Sequence, residues 1–205
     1  MKIFASISFV LAAVCGQEFL GMHPQLEVPV YKFQIDSDPS SKFRNVTKAF
    51  KIPGGKVFDD FFGVIPEPIH WLFRIGESRI AKMQPIRYQE IKGIAADMNR
   101  PTWEVVMANY AYEMSAFCTS IIVKQTNGTL LHGRNLDFSF ASDMKKVTYQ
   151  ALWYRGEDYV YESMMFAGNV GIYTGMKPGA FSISENERTV AKGGNSTISK
   201  IVSLS

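Results

Sequence analysis

The hydrophobic period of this chain changes at residues 115–118, and that change restricts it to a helical part followed by a sheet. Upstream, Trp103, Met107, Tyr110 and Met114 recur at three- and four-residue spacing, the pattern of one helix face. Downstream, Ile121, Ile122 and Val123 lead to Asn127-Gly128, and Leu130 and Leu131 follow. Asn-Gly between apolar runs is a strong short-range hairpin signal. Residues 147–154, 159–166, 170–174 and 180–184 read as four more strands of an antiparallel meander. Before the switch, residues 28–35 alternate, with Tyr31, Phe33 and Ile35 on one face, as a half-buried strand does. Residues 42–51 read as a short helix ended by Pro53-Gly54-Gly55. Residues 58–80 read as two short helices broken at Pro66 and Pro68. Residues 86–98 are helical, and Pro101 suits the first turn of the next helix. The class is α+β.

The chain has 205 residues, 46% apolar and 20% charged, a globular composition. Its net charge of +3 is spread out, with no basic run that would argue for nucleic acid. Residues 1–16 read as a signal peptide: Lys2, an apolar run over 3–14, and Val14-Cys15-Gly16 as a cleavage site. That run is too short to span a bilayer. Sequons at Asn45, Asn127 and Asn195 support a secretory route with glycosylation. Loss of the leader removes Cys15 and leaves Cys118 as the one cysteine, with no intrachain disulfide, and such a leftover cysteine in a secreted chain suggests a reactive thiol or an intermolecular bond.

If Asn127 and Gly128 form a two-residue turn, Cys118 falls opposite Asp137 and Ser120 opposite Asn135. Facing side chains are then within about 5.5 Å at Cβ. Arg134 would pair with Ile121 and face away, unless Gly133 carries a bulge. A thiol titrates near ~8.5 and needs a base or positive charge to act as a nucleophile. His132 would pair with Val123, away from Cys118, and reads as a strand residue. A base needing no histidine is the α-amine released by cutting the chain before Cys118, as in catalysis by N-terminal residues. Asp137 would orient that amine and Arg134 would stabilise the thiolate. Spacing alone leaves open that Cys118 is an ordinary buried thiol. The aromatic residues of 58–80 read as core, with a lipid-facing surface as the alternative.

Cys118-Thr119-Ser120-Ile121 with His132-Gly133-Arg134-Asn135-Leu136-Asp137-Phe138 resembles the family of acid ceramidase and N-acylethanolamine acid amidase. These are N-terminal nucleophile hydrolases of the choloylglycine-hydrolase-like group. The likeness continues through Ala167-Gly168-Asn169-Val170-Gly171, 174–182 and Asn186-Glu187-Arg188, and starts upstream at 27–36. It implies an αββα antiparallel sandwich with a mainly helical N-terminal subunit. It implies a lysosomal or secreted glycoprotein made as a precursor and self-cleaved at Phe117–Cys118. The expected parts are a signal peptide 1–16, an α-subunit-like region 17–117 and a partial β-subunit 118–205, associated as a heterodimer. Cys118 is then the nucleophile, with Arg134, Asp137 and Glu187 as further catalytic residues and no metal or cofactor. The substrate is a long-chain N-acyl amide, ceramide or an N-acylethanolamine, met at the lysosomal membrane surface, with a sphingolipid activator protein as a partner. Two departures stand out. The chain is expected to be truncated at its C-terminal end relative to the family, which makes an inactive lipid-binding fragment an alternative. Residues 17–117 hold no cysteine for an inter-subunit disulfide, which leans toward the amidase, whereas Lys177-Pro178-Gly179 and Asn186-Glu187-Arg188 look more like ceramidase.

Overall fold

The computed structural model describes residues 8–12, 28–63, 70–115, 117–137 and 141–185, with the side chains at 8–12, 72–73, 111–117, 137 and 141 outside that description. The helical part contains α1 (Arg44–Ala49), α2 (Lys51–Phe62), α3 (His70–Met83), α4 (Pro85–Met98) and α5 (Thr102–Ser115). Helix α4 starts with Pro85 at a position where its missing N–H is no loss. It buries Ile91, Ile94, Ala95 and Met98, one stripe at helical spacing. It ends on Asn99 in the left-handed conformation, with Arg100 N–H reaching back to Ala95 O. Gly93 lets the loop before α1 touch the helix: a Cβ there would sit 2.0 Å from Ser40 O. Pro53-Gly54-Gly55 does not end a helix, contrary to expectation, because α2 begins two residues after α1 and runs through it. Pro53 is the third residue of α2, where no intrahelical partner is missed. Pro66 and Pro68 lie outside the described residues.

Strand β2 (Val30–Gln34) leaves the helical part and joins the sheet of the second part. It pairs parallel with β5 (Thr148–Arg155), which pairs antiparallel with β6 (Asp158–Phe166). β7 (Thr174–Lys177) and β8 (Phe181–Ser184) complete a five-stranded sheet of order β2-β5-β6-β7-β8. The meander is therefore antiparallel except for β2. Residues 170–173 are a loop rather than the expected strand, since Val170 N–H is taken by the Asn109 side chain. Helix α6 (Ala141–Lys146) was not expected from the sequence pattern. β3 (Phe117–Lys124) and β4 (Leu130–Asp137) form the hairpin, and β1 (Ser8–Ala12) lies against β4 in a second sheet of order β1-β4-β3. The stretch read as the leader thus supplies an edge strand in the uncleaved chain.

Strand parity fixes the layers. Tyr149, Ala151 and Trp153 of β5 pair with Met165, Ser163 and Tyr161 of β6, so these residues share one face. That face meets the helices through an aromatic cluster: Phe33 stacks on Trp153 at 4.8 Å, Phe43 packs on both of these rings, and Phe50 and Tyr31 flank Tyr149. Thr174 and Met176 of β7 and their partners Ser184 and Ser182 of β8 lie on the other face. There the second sheet covers the first: Ser120 Oγ is 2.7 Å from Ser184 Oγ, and His132 Nδ1 is 2.8 Å from Ser182 Oγ. Helix layer, five-stranded sheet and three-stranded sheet form the first three layers of an αββα sandwich. Among the described residues, no helix is long and apolar enough to cross a membrane.

Candidate active site

Cys118 is the second residue of β3, half-buried, just past the end of α5. The turn of the hairpin decides what faces it. Gln125 N–H donates to Thr129 O at 2.8 Å and Gly128 N–H to Gln125 O at 2.9 Å, with Gly128 at φ +88°. This is a three-residue turn closed by a left-handed glycine, not the expected two-residue turn. The added residue shifts the ladder by one. Cys118 pairs with Leu136, Ser120 with Arg134 and Phe117 with Asp137.

That shift corrects two expectations. Arg134 stands on the same face as Ser120 and Cys118 with no bulge at Gly133, because the ladder is continuous from 117 to 124. Arg134 is 4% exposed, and its Nη2 donates to Cys118 Sγ at 3.6 Å. The same nitrogen donates to the Glu185 carbonyl at the end of β8. A buried guanidinium from the thiol's own sheet is thus fastened to the end of β8 and aimed at the thiol. Asp137 does not lie opposite Cys118. Its Cα pairs with that of Phe117, across from the peptide bond that would become the Cys118 α-amine.

His132 pairs with Ile122 and faces β8, with its two ring nitrogens at 2.8 Å from Ser182 Oγ and 3.3 Å from Ser184 Oγ. It joins the two sheets and is not placed on Cys118. Asn127 is exposed at the hairpin turn, where its Oδ1 accepts from Thr129 N–H at 2.9 Å. Asn45 is exposed on α1, while Thr47 of its sequon is buried and donates to Phe43 O. Glu187 and Asn195 lie outside the described residues. Among the described residues no group of three acidic, histidine or cysteine side chains is placed to hold a metal.

Three supporting residues escaped the sequence reading. Asn109, 1% exposed on α5, donates to Val105 O and Gly168 O and accepts from Val170 N–H, so it clamps the 168–170 loop to the helix. Arg87 of α4 donates to Val170 O at 3.2 Å from the other side of that loop. Glu185 follows β8; solvent reaches it, yet hydration lost against the sheet holds its carboxyl above the usual range, with Arg87 and Arg134 pulling the other way. A polar residue within an apolar helical stripe was the one available signal, and it pointed to Asn109 alone.

The structure thus brings together a cysteine at a strand start and a buried arginine between two sheets. Residues 118–200 match the linear amide C–N hydrolases, choloylglycine hydrolase family, and the match begins at Cys118. From Cys118 onward the chain is similar to this family. Its curated relatives include N-acylethanolamine-hydrolyzing acid amidase of Rattus norvegicus, 41% identical over 99 residues covering 48% of this chain and 27% of the relative. The Caenorhabditis elegans protein of the same name is 31% identical over 170 residues, 77% of this chain and 47% of the relative. Acid ceramidase of Bos taurus is 31% identical over 191 residues, 82% of this chain and 45% of the relative. The chain spans about half or less of the length of these relatives.

Proposed function

We propose that this chain belongs to an acid amidase that frees Cys118 by cutting the Phe117–Cys118 bond and then hydrolyses a long-chain N-acyl amide, ceramide first. The observation that carries this is the Arg134 guanidinium on the Cys118 thiol, at the junction of helix and sheet where the family match begins. In the first step Sγ attacks the Phe117 carbonyl carbon. The amide nitrogen takes a proton and becomes the Cys118 α-amine, and water hydrolyses the thioester to leave a Phe117 carboxylate. In the second reaction the same sulfur attacks the acyl carbonyl of the lipid. The α-amine passes the thiol proton to the leaving amine, and water releases the fatty acid. Asp137, held across from Phe117, is suited to orient the new ammonium. Glu187 is proposed as a further active-site residue on the resemblance alone.

After the cut, the halves have a non-covalent reason to stay together. β2 from the helical half forms a five-residue ladder with β5, and Phe33, Phe43 and Phe50 are buried against Trp153 and Tyr149. On α3, Trp71 and Ile75 are exposed one turn apart beside exposed Arg74, Arg79 and Lys82. Apolar side chains flanked by cations suit a lipid–water interface, which fits a substrate held in membranes and a lysosomal or secreted location. A second reading takes an N-acylethanolamine as substrate, favoured by the 41% identity to the rat amidase and by the lack of cysteine in residues 17–117.

The test is hydrolysis of N-palmitoyl-sphingosine and N-palmitoylethanolamine in mixed micelles at acid pH, by the chain and by Cys118→Ala. Fatty-acid release that disappears in Cys118→Ala supports the proposal, and the faster substrate selects between the readings. No release above Cys118→Ala from either lipid leaves only a lipid-binding role.

A further inference from the structure

The helix side of the five-stranded sheet holds a cavity of about 500 Å³, within the ~300–1,000 Å³ range of small-molecule sites. Its floor is Trp153, Tyr161 and Met165, on the face already shown to meet the helices. Phe43 and the first turn of α4 form one wall, and Val170–Ile172 close one end. Cys118 faces the opposite layer, between the two sheets, so this space is distinct from the thiol's surroundings.

The lining is mostly apolar, with Gln84 and the charged Lys42, Glu90 and Arg87 as its polar groups. Lys42 and Glu90 form a 2.7 Å ion pair with side chains only 10% and 12% exposed, and neutralise each other. Arg87 donates Nη2 to Val170 O and Nη1 to Gln84 Oε1 at 3.4 Å, and its guanidinium lies 5.0 Å from the Tyr110 ring centre. Its Nε is buried without a hydrogen-bond acceptor, and the Glu185 carboxyl acts on it through charge without an ion pair among the described residues. Burying an N–H of a cation without an acceptor is costly. A carboxylate is the small anion that a guanidinium edge recognises in directed hydrogen bonds.

We infer that this cavity binds a single-chain fatty acid, the alkyl chain over Trp153 and Met165 and the carboxylate on Arg87. Such a ligand fills the apolar volume and sets its carboxylate against the Arg87 guanidinium. The inference goes beyond the amidase reading and stands whether or not Cys118 is a nucleophile.

The experiment is displacement of the fluorescent fatty acid cis-parinaric acid from the full chain by palmitate, with hexadecanol as the uncharged control. Palmitate is expected to displace the probe equally from the wild type and Cys118→Ala, and hexadecanol far less well. Arg87→Gln, checked for unchanged far-ultraviolet circular dichroism, is expected to weaken palmitate roughly tenfold or more, the scale of one charge-assisted hydrogen bond. Ile172→Trp, which fills the cavity end, is expected to abolish probe binding and serves if Arg87→Gln fails to fold. Absence of probe binding to the wild type, wild-type affinity in Arg87→Gln or Ile172→Trp, or loss of binding in Cys118→Ala overturns the assignment. Loss in Cys118→Ala would move the lipid to the catalytic thiol, which separates failure of this site from failure of the amidase reading.

Discussion

The two sheets of this protein divide apolar burial and the candidate site between them. The five-stranded sheet buries Tyr149, Ala151, Trp153 and Met165 against helices, with rings packed on rings. The three-stranded sheet carries Cys118 and Arg134, yet Ile121, Ile122, Val123 and Leu130 on its hairpin remain exposed, Ile122 at 69%. It is fastened to the first sheet by hydroxyl, imidazole and guanidinium contacts to β8. The Cys118–Arg134 contact therefore depends on a neighbouring layer for its support. Leu136, opposite Cys118, is the hairpin's buried apolar anchor, and polar fastening supplies the rest.

The division breaks most visibly under truncation of large side chains. Trp153→Ala is expected to cost about 3–5 kcal/mol in urea unfolding, the range for a buried aromatic, and Ile122→Ala less than about 0.5 kcal/mol, as for an exposed position. Similar costs would erase the contrast between the sheets. Next in size is Asn109→Ala, which leaves Gly168 O and Val170 N–H without their buried partner. A loss of about 1–3 kcal/mol is expected, with faster amide exchange at Val170; an unchanged midpoint would show that the loop needs no clamp.

The smallest effect concerns Glu185. Its carboxyl is held above the ordinary range, chiefly by lost hydration. A raised carboxyl binds its proton more tightly in the folded state, so it supports folding at acid pH, and that support fades as pH rises through its folded value. Glu185→Gln is expected to raise the melting temperature at neutral pH and to leave it unchanged in acid. The same shift at both pH values would contradict the assignment.

The sequence showed much of this and missed the rest for identifiable reasons. Helices α4 and α5 were legible because Ile91, Ile94, Ala95 and Met98, and Trp103, Met107 and Tyr110, repeat at helical spacing. Strand β2 was legible from its alternation, but not its parallel pairing with a strand over a hundred residues away. Cys118 and Arg134 were legible as candidates. Their facing was not, because Asn127-Gly128 fits a two- or a three-residue turn, and one residue moves every side chain to the other face. Asn109 and Arg87 act on backbone distant in sequence, which no local pattern encodes.

The central claim is that Cys118 is a nucleophile waiting behind a peptide bond. Its most direct test is N-terminal sequencing of the chain after incubation at acid pH. The account predicts a new terminus at Cys118, absent in Cys118→Ala and strongly reduced in Arg134→Ala. A chain that stays intact, or one cut equally well in Cys118→Ala, would contradict it.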